Sequence, residues 1–224
     1  MKDQALREAV VAAARRMVEL GLTHGTSGNL SVRAGPGLLI TPTALPWHLL
    51  GPDHIVRLDA AGLPEPGAGA PSTEWRIHRD IYAARGEAGA VLHAHPPYAT
   101  AIACLGKDLP AVHYMVAVAG GASVRCAGYA TFGTAELSAA ALAALEGRTA
   151  CLLANHGIVA LGADLDEALR VAEEIERVAQ VYWLALAAGT PRILDDAEML
   201  RVLQSFASYG RPSNPSASGG RGGT

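Results

Sequence analysis

Apolar residues recur at helical spacing through residues 4–20, at Ala5, Val10, Ala13, Met17 and Leu20, and the pattern stops at Gly21, which predicts an opening amphipathic helix. The loop "HGTSGN" follows, and then short runs with strand character at "LSVR", "GLLITPT" and "HIVRLD", the last leading into a turn at "DAAG". A helix beginning near Ser72 to Glu74 carries Trp75, His78, Ile81 and Tyr82 and runs to about Arg85. "AVLHAH" reads as a strand, "GTAELSAAALAALEG" as a helix capped by Thr134, and "TACLLANHGIVALG" as two apolar strands broken at Asn155-His156-Gly157. Residues 164–188 form a long helix and a last helix ends near Tyr209. The terminal "RPSNPSASGGRGGT" has almost nothing to bury, so residues 211–224 read as a disordered tail behind one domain of residues 1–210. No repeat or linker divides that domain. This order of elements predicts an α/β fold, a central sheet covered by helices.

The strand "AVLHAH" raises the first question of chemistry. Successive side chains on a strand face opposite ways, so His93 and His95 share a face with their imidazoles close together, an arrangement suited to one metal ion. Two hydrogen-bonded polar positions on a half-buried strand would explain the spacing equally well. His156 sits at the break between two apolar runs, where a strand end can aim a side chain inward. Joined to His93 and His95 it makes a three-nitrogen set with room for a further ligand, the pattern of catalytic zinc. The histidines at 24, 48, 54, 78 and 113 lack paired spacing and read as ordinary surface or core positions. Glu74 opens a helix in "PSTEW", where an acidic residue favours the helix dipole, and Ser72 and Thr73 read as caps. Those hydroxyls, with the "GTSGN" and "TPT" loops, also make an anion site of neutral donors, so a phosphate would be at home there. The glycines of "GTSGN" follow a helix rather than a strand, which argues against a dinucleotide site.

Composition narrows the choices. With 50% hydrophobic residues among 224, the chain can build a sizeable core. A net charge of −3 without a basic run gives no footprint for nucleic acid or an anionic membrane, and the charge-free stretch Ala88 to Gly106 holds two histidines and two prolines, so it is no membrane span. Cys104, Cys126 and Cys151 stand far apart among small or apolar neighbours, as reduced cysteines do, and no leader-like segment opens the chain, so a cytoplasmic location is expected. Only two of the 18 basic residues are lysines, Lys2 and Lys107, which leaves almost no candidate for a buried Schiff-base lysine.

Taken together, "GLTHGTSGNLSVR", "LLITPTALPW", "PSTEWRIH", "AVLHAH", "HYMVAVAGG", "YATFGT", "NHGIVA" and "SYG" resemble the class II aldolase/adducin family, in order from about Gly21 to Gly210. The resemblance implies a central, mainly antiparallel sheet covered by helices. It implies a zinc-dependent lyase that reversibly cleaves a ketose 1-phosphate, such as L-fuculose 1-phosphate, to dihydroxyacetone phosphate and an aldehyde such as L-lactaldehyde. His93, His95 and His156 match the family's ligands for one Zn2+ per subunit, and Glu74 matches the acid that completes the resting coordination and then acts as general base. Thr26, Gly28, Asn29, Thr43, Ala44, Ser72 and Thr73 match phosphate and substrate contacts, and Phe132 a pocket wall. Tyr114 matches a tyrosine that reaches a neighbouring subunit's site, Tyr209 a C-terminal tyrosine near the aldehyde, and a homotetramer is implied with them. The partner would be a small sugar phosphate, with neither nucleic acid nor membrane. Without a lysine to form an iminium, a metal must take up the charge of the enolate.

A ribulose-phosphate 4-epimerase or a sugar-phosphate dehydratase of the same fold is the nearest alternative, although the epimerases typically carry aspartate where "PSTEW" has Glu74. A non-catalytic adducin-like interaction module is the alternative from another class, and it would lack the three histidines. The family commonly has glycine where Ala44 stands, so a positive φ there would strain this chain.

Overall fold

The computed structural model describes residues 2–208, so Tyr209 and the tail 211–224 lie outside the described residues. Helix α1 (Lys2–Glu19) leads into strands β1 (Asn29–Ala34), β2 (Gly37–Ile40) and β3 (Val56–Leu58). Helix α2 (Trp75–Ala84), strand β4 (Ala90–Ala94) and helix α3 (Pro97–Ala103) come next, followed by β5 (Cys126–Ala127), α4 (Ala135–Ala144), β6 (Ala150–Leu153), β7 (Gly157–Gly162), α5 (Leu165–Ala188) and α6 (Asp196–Ser208). Short 3-10 turns lie at Trp47–Leu49, Pro52–His54 and Tyr114–Ala119.

Among the described residues seven strands form one sheet in the order β3-β2-β1-β4-β7-β6-β5, and every pair is antiparallel except β5 with β6. Alternation along the strands makes two cores. Leu30, Leu92 and Ile158 pack with Met17, Ile102 and Ile175 of α1, α3 and α5. Val91, Val159 and Leu161 pack with Ile77, Ile81 and Leu137 of α2 and α4 on the other face. The chain is therefore an α/β domain with a mainly antiparallel sheet covered by helices. No helix among the described residues is long and apolar enough to cross a membrane.

Several boundaries differ from the pattern-based expectation for local reasons. The strand of "GLLITPT" ends at Ile40, ahead of Pro42, whose missing N–H cannot extend a ladder. His54 belongs to a 3-10 turn instead of the strand that follows it. "AVLHAH" leaves the sheet at Ala94, so His95 lies one residue beyond it. Pro96-Pro97 starts a helix as well as stopping a strand, because Pro97 occupies the first helical turn, where an absent N–H costs nothing. Thr134 caps α4 as expected, accepting from the Leu137 N–H at 3.2 Å, and Asp164 caps α5 through the Glu167 N–H at 2.8 Å.

Candidate active site and metal centre

On β4 the alternation that buries Leu92 on one side turns His93 to the side of α2, where it is fully buried between its cross-strand partners Asn29 and Val159. His95 stands just past the strand end. The segment behind it is anchored by Glu176 of α5, whose carboxylate accepts the N–H groups of Tyr98 at 3.0 Å and Ala99 at 2.8 Å. His156 comes from the tight turn between β6 and β7; its N–H donates to the Leu153 carbonyl at 3.0 Å, and Asn155 before it takes the left-handed φ of 55° that asparagine tolerates. Two glycines allow close approach to the segment that carries His93 and His95. A Cβ on Gly28 would lie 2.7 Å from the His93 carbonyl, and one on Gly157 would lie 2.6 Å from the His95 ring.

The three imidazoles converge, with centroids 4.7 to 5.0 Å apart and a ring nitrogen of each within 4.8 Å of the others. His93 Nδ1 donates to the Ile158 carbonyl at 2.9 Å, which turns Nε2 to the centre, where it meets Glu74 as a donor in the metal-free protein and would offer its lone pair to a metal. His95 Nε2 approaches His93 Nε2 to 3.0 Å. Glu74, at the N-cap of α2, makes no side-chain cap; its carboxylate turns inward, with Oε2 3.1 Å from His93 Nε2 and Oε1 3.3 Å from His156 Nε2. Asn29 Nδ2 donates to Oε2 at 3.0 Å, whereas Oε1 is buried without a hydrogen-bond donor.

This donor set fits a divalent metal. Three ring nitrogens and one carboxylate are the borderline-soft ligands of zinc-like ions, and two ring nitrogens at 3.0 Å repel unless a proton or cation lies between them. Burial alone would raise the Glu74 carboxyl, but the neighbouring His93 and His156 and the hydrogen bonds from His93 and Asn29 outweigh it and hold it down at about 2. Burial, and then the charge of His93, push His95 and His156 down to about 4, so both rings are neutral ligands at neutral pH. For His93 burial opposes charge, yet the Glu74 carboxylate and the Ile158 carbonyl raise its pKa.

A cleft of about 510 Å³ opens over this centre. Thr26, Gly28, Asn29, Thr43, Ala44, Ser72, Thr73 and Phe132 line it together with Glu74, His95 and His156, and no lysine or arginine is among the lining residues. Ser72 Oγ accepts the Glu74 N–H at 3.3 Å, which sets the hydroxyl at the N-terminus of α2. Ala44 does adopt the left-handed region, at φ 55°. Phe132 is 63% exposed, so it is a rim residue and no part of a core. The Asn29 side chain is committed to Glu74 rather than turned outward toward a phosphate. Tyr114 does not join this cleft: it is 49% exposed on its 3-10 turn and lines a separate hollow with Met115, Arg170 and Phe206.

Sequence reasoning treated His78 as an ordinary position, and the structure places it directly behind the site. Its ring is fully buried, with Nε2 2.5 Å from Asn29 Oδ1 and Nδ1 2.7 Å from Ser31 Oγ. The signal available was the four-residue spacing of Glu74, His78 and Tyr82 on one helix, opposite the polar alternation Asn29, Ser31, Arg33 on one strand.

The comparison with known proteins agrees with this geometry. Residues 8–183 match the family described as Class II Aldolase and Adducin N-terminal domain. A 5-methylthioribulose-1-phosphate/5-deoxyribulose-1-phosphate aldolase of Rhodospirillum rubrum is 54% identical over 92% of this chain and 93% of its own. The L-fuculose phosphate aldolase of Escherichia coli K12 is 44% identical over 94% of this chain and 98% of its own. A solved L-fuculose 1-phosphate aldolase superposes with a TM-score of 0.87 at 42% identity, covering 91% of this chain and 96% of that one. The chain belongs to the class II aldolase and adducin family. Within that family it is a class II aldolase, a metal-dependent lyase.

Proposed function

We propose that this enzyme uses zinc, held by His93, His95 and His156, to cleave a ketose 1-phosphate reversibly into dihydroxyacetone phosphate and a small aldehyde. The observation that carries the reading is the Glu74 carboxylate, gripped on one oxygen by Asn29 and buried without a donor on the other, between three converging imidazoles at the floor of a hydroxyl-lined cleft. When bound, the metal supplies a Lewis acid that neutralises charge developing on the carbonyl side of the broken carbon–carbon bond.

The chain's own groups do the rest. Glu74, ionised at neutral pH, is in the form that accepts a proton; it returns that proton to the dihydroxyacetone phosphate unit in cleavage and removes it in condensation. Ser72, Thr73, Thr43 and the backbone from Gly28 to Asn29 offer the phosphate hydroxyls and amides at the N-terminus of α2, without a competing ammonium group. Phe132 at the rim meets the aldehyde end of the substrate. Tyr114 faces away from its own cleft, which fits a role in a neighbouring copy of a homotetramer, where its hydroxyl would donate to the aldehyde oxygen. The three free cysteines among the described residues fit work in a reducing cytoplasm.

L-Fuculose 1-phosphate, 5-deoxyribulose 1-phosphate and 5-methylthioribulose 1-phosphate share the dihydroxyacetone phosphate half that this cleft would hold, and they differ at the aldehyde end. Release of dihydroxyacetone phosphate from this panel, abolished by a chelator and restored by zinc, tests the reading. Glu74→Gln is expected to keep zinc and lose most turnover; wild-type rates in that variant would overturn the role of Glu74.

A further inference from the structure

Behind Asn29, which grips the carboxylate, runs a file of buried polar groups for which the reaction as described has no use: His78, Ser31 and Tyr82, in contact order. We propose that His78 is a positioning residue for Glu74, fixing which face of the Asn29 amide meets the carboxylate. This rests on the reading of Glu74 as metal ligand and base.

The direction of every hydrogen bond in the file follows from its end. A carboxylate only accepts, so Asn29 presents Nδ2 to Glu74 Oε2, at 3.0 Å. The amide oxygen is thereby turned the other way, 2.5 Å from His78 Nε2, and because an amide oxygen only accepts, Nε2 carries the hydrogen. Burial, and then the charge of His93, push His78 down to about 3, so the ring is neutral and Nδ1 is bare. Ser31 Oγ therefore donates to Nδ1 at 2.7 Å, and accepts in turn from the Tyr82 hydroxyl at 2.9 Å. Arg33 closes the far end, donating to the carbonyls of Tyr82 at 3.0 Å and Arg85 at 2.7 Å.

Without a donor at the Nε2 position, Asn29 Oδ1 is left buried without a partner, and the amide is drawn to turn away from Glu74 Oε2 to satisfy it. The carboxylate would swing off its place between His93 and His156. A residue that merely filled space would have no need of Nε2–H.

The two ring nitrogens can be separated by substitution in the full-length, zinc-loaded protein. Glutamine places its amide nitrogen near the histidine Nε2 position and can still donate to Asn29 Oδ1, whereas asparagine reaches only the Nδ1 position beside Ser31. We expect H78Q to keep kcat and zinc affinity within about threefold of wild type. H78N is expected to lose tenfold or more in kcat with KM within about twofold, and about tenfold in zinc affinity measured against a chromophoric chelator, the range seen when the partner of a metal ligand is removed. Equal behaviour of the two variants, both active or both impaired, overturns the proposal. In the wild type itself, ¹⁵N spectra of histidine-labelled protein should show the His78 ring as the neutral Nε2–H tautomer, and an Nδ1–H ring overturns it without any variant. If wild-type protein releases no dihydroxyacetone phosphate from any ketose 1-phosphate, the aldolase substrate reading fails. The zinc-affinity ratio and the tautomer then still decide the role of His78.

Discussion

A neutral histidine locked in the interior makes this fold sensitive to acid, and His78→Gln should remove the part of that sensitivity that His78 contributes. In the unfolded chain the ring takes a proton near its ordinary value of about 6.5, whereas in the folded protein burial and the nearby His93 keep it neutral down to about 3. Between those values the unfolded state binds the extra proton, so stability is complete above pH 6.5 and is lost as the pH falls. Integrated from pH 7 to 4.5, one such group removes about 2–3 kcal/mol. Glutamine does not titrate, so the stability of the wild type relative to H78Q should fall by about that amount over the same range. Metal-free protein in chelator, unfolded by urea and followed by tryptophan fluorescence at several pH values, gives the measurement. With a slope of about 2.5 kcal/mol/M the two midpoints should move about 1 M relative to each other. His93, His95, His156 and Glu74 also titrate differently in the two states, but they are common to both proteins and largely cancel in the difference. Midpoints that stay parallel from pH 7 to 4.5 would refute the buried neutral ring.

Ala44→Gly should stabilise the protein by about 0.5–1 kcal/mol, because relief of left-handed strain of about 1–2 kcal/mol exceeds the added freedom of the unfolded chain; a lower melting temperature would contradict this. Glu176→Gln keeps one acceptor for two N–H groups at the start of α3, so urea denaturation should show a loss of about 1–3 kcal/mol, and zinc binding through His95 should weaken; unchanged stability would show that the clamp is dispensable. Zinc at a hundredfold excess over its dissociation constant should add about 2.7 kcal/mol, or roughly 5–10 °C in melting temperature, and calorimetric traces that coincide with and without zinc would refute the three-histidine site.

The three-histidine cluster was legible where chemistry forces unusual residues into a short stretch. His93 and His95 stand out in any strand, and His156 at a break between apolar runs invites the same question. The scaffold around them was harder to read. α3 is hidden because Pro96-Pro97 looks like an ending, while a proline in the first turn is equally a beginning. β5, with two residues, is too short to show any period. "LSVR" reads correctly as a strand, but the sequence puts Asn29 in the loop before it, whereas β1 starts at Asn29, and such a polar face ordinarily meets water. Here it meets α2, and only the matching spacing of Glu74, His78 and Tyr82, some forty residues on, gives that away. Tyr114 shows the opposite limit, since a single described chain leaves it at a distance from the cleft whose chemistry it was expected to share.

The polar face of β1 also governs how the sheet can be assembled. Asn29 pairs with His93 and Ser31 with Val91, a register that puts all three polar side chains of β1 under α2 and leaves Leu30 and Val32 in the core on the opposite face. A slip of one residue would reverse this, exposing Asn29, Ser31 and Arg33 to an apolar core that has no partner for them, and pressing leucine and valine against the polar stripe of α2. Mispaired sheets are thus penalised by the very side chains that aim Glu74. A molecule of this protein that has folded in the wrong register has, by the same error, no active site to present.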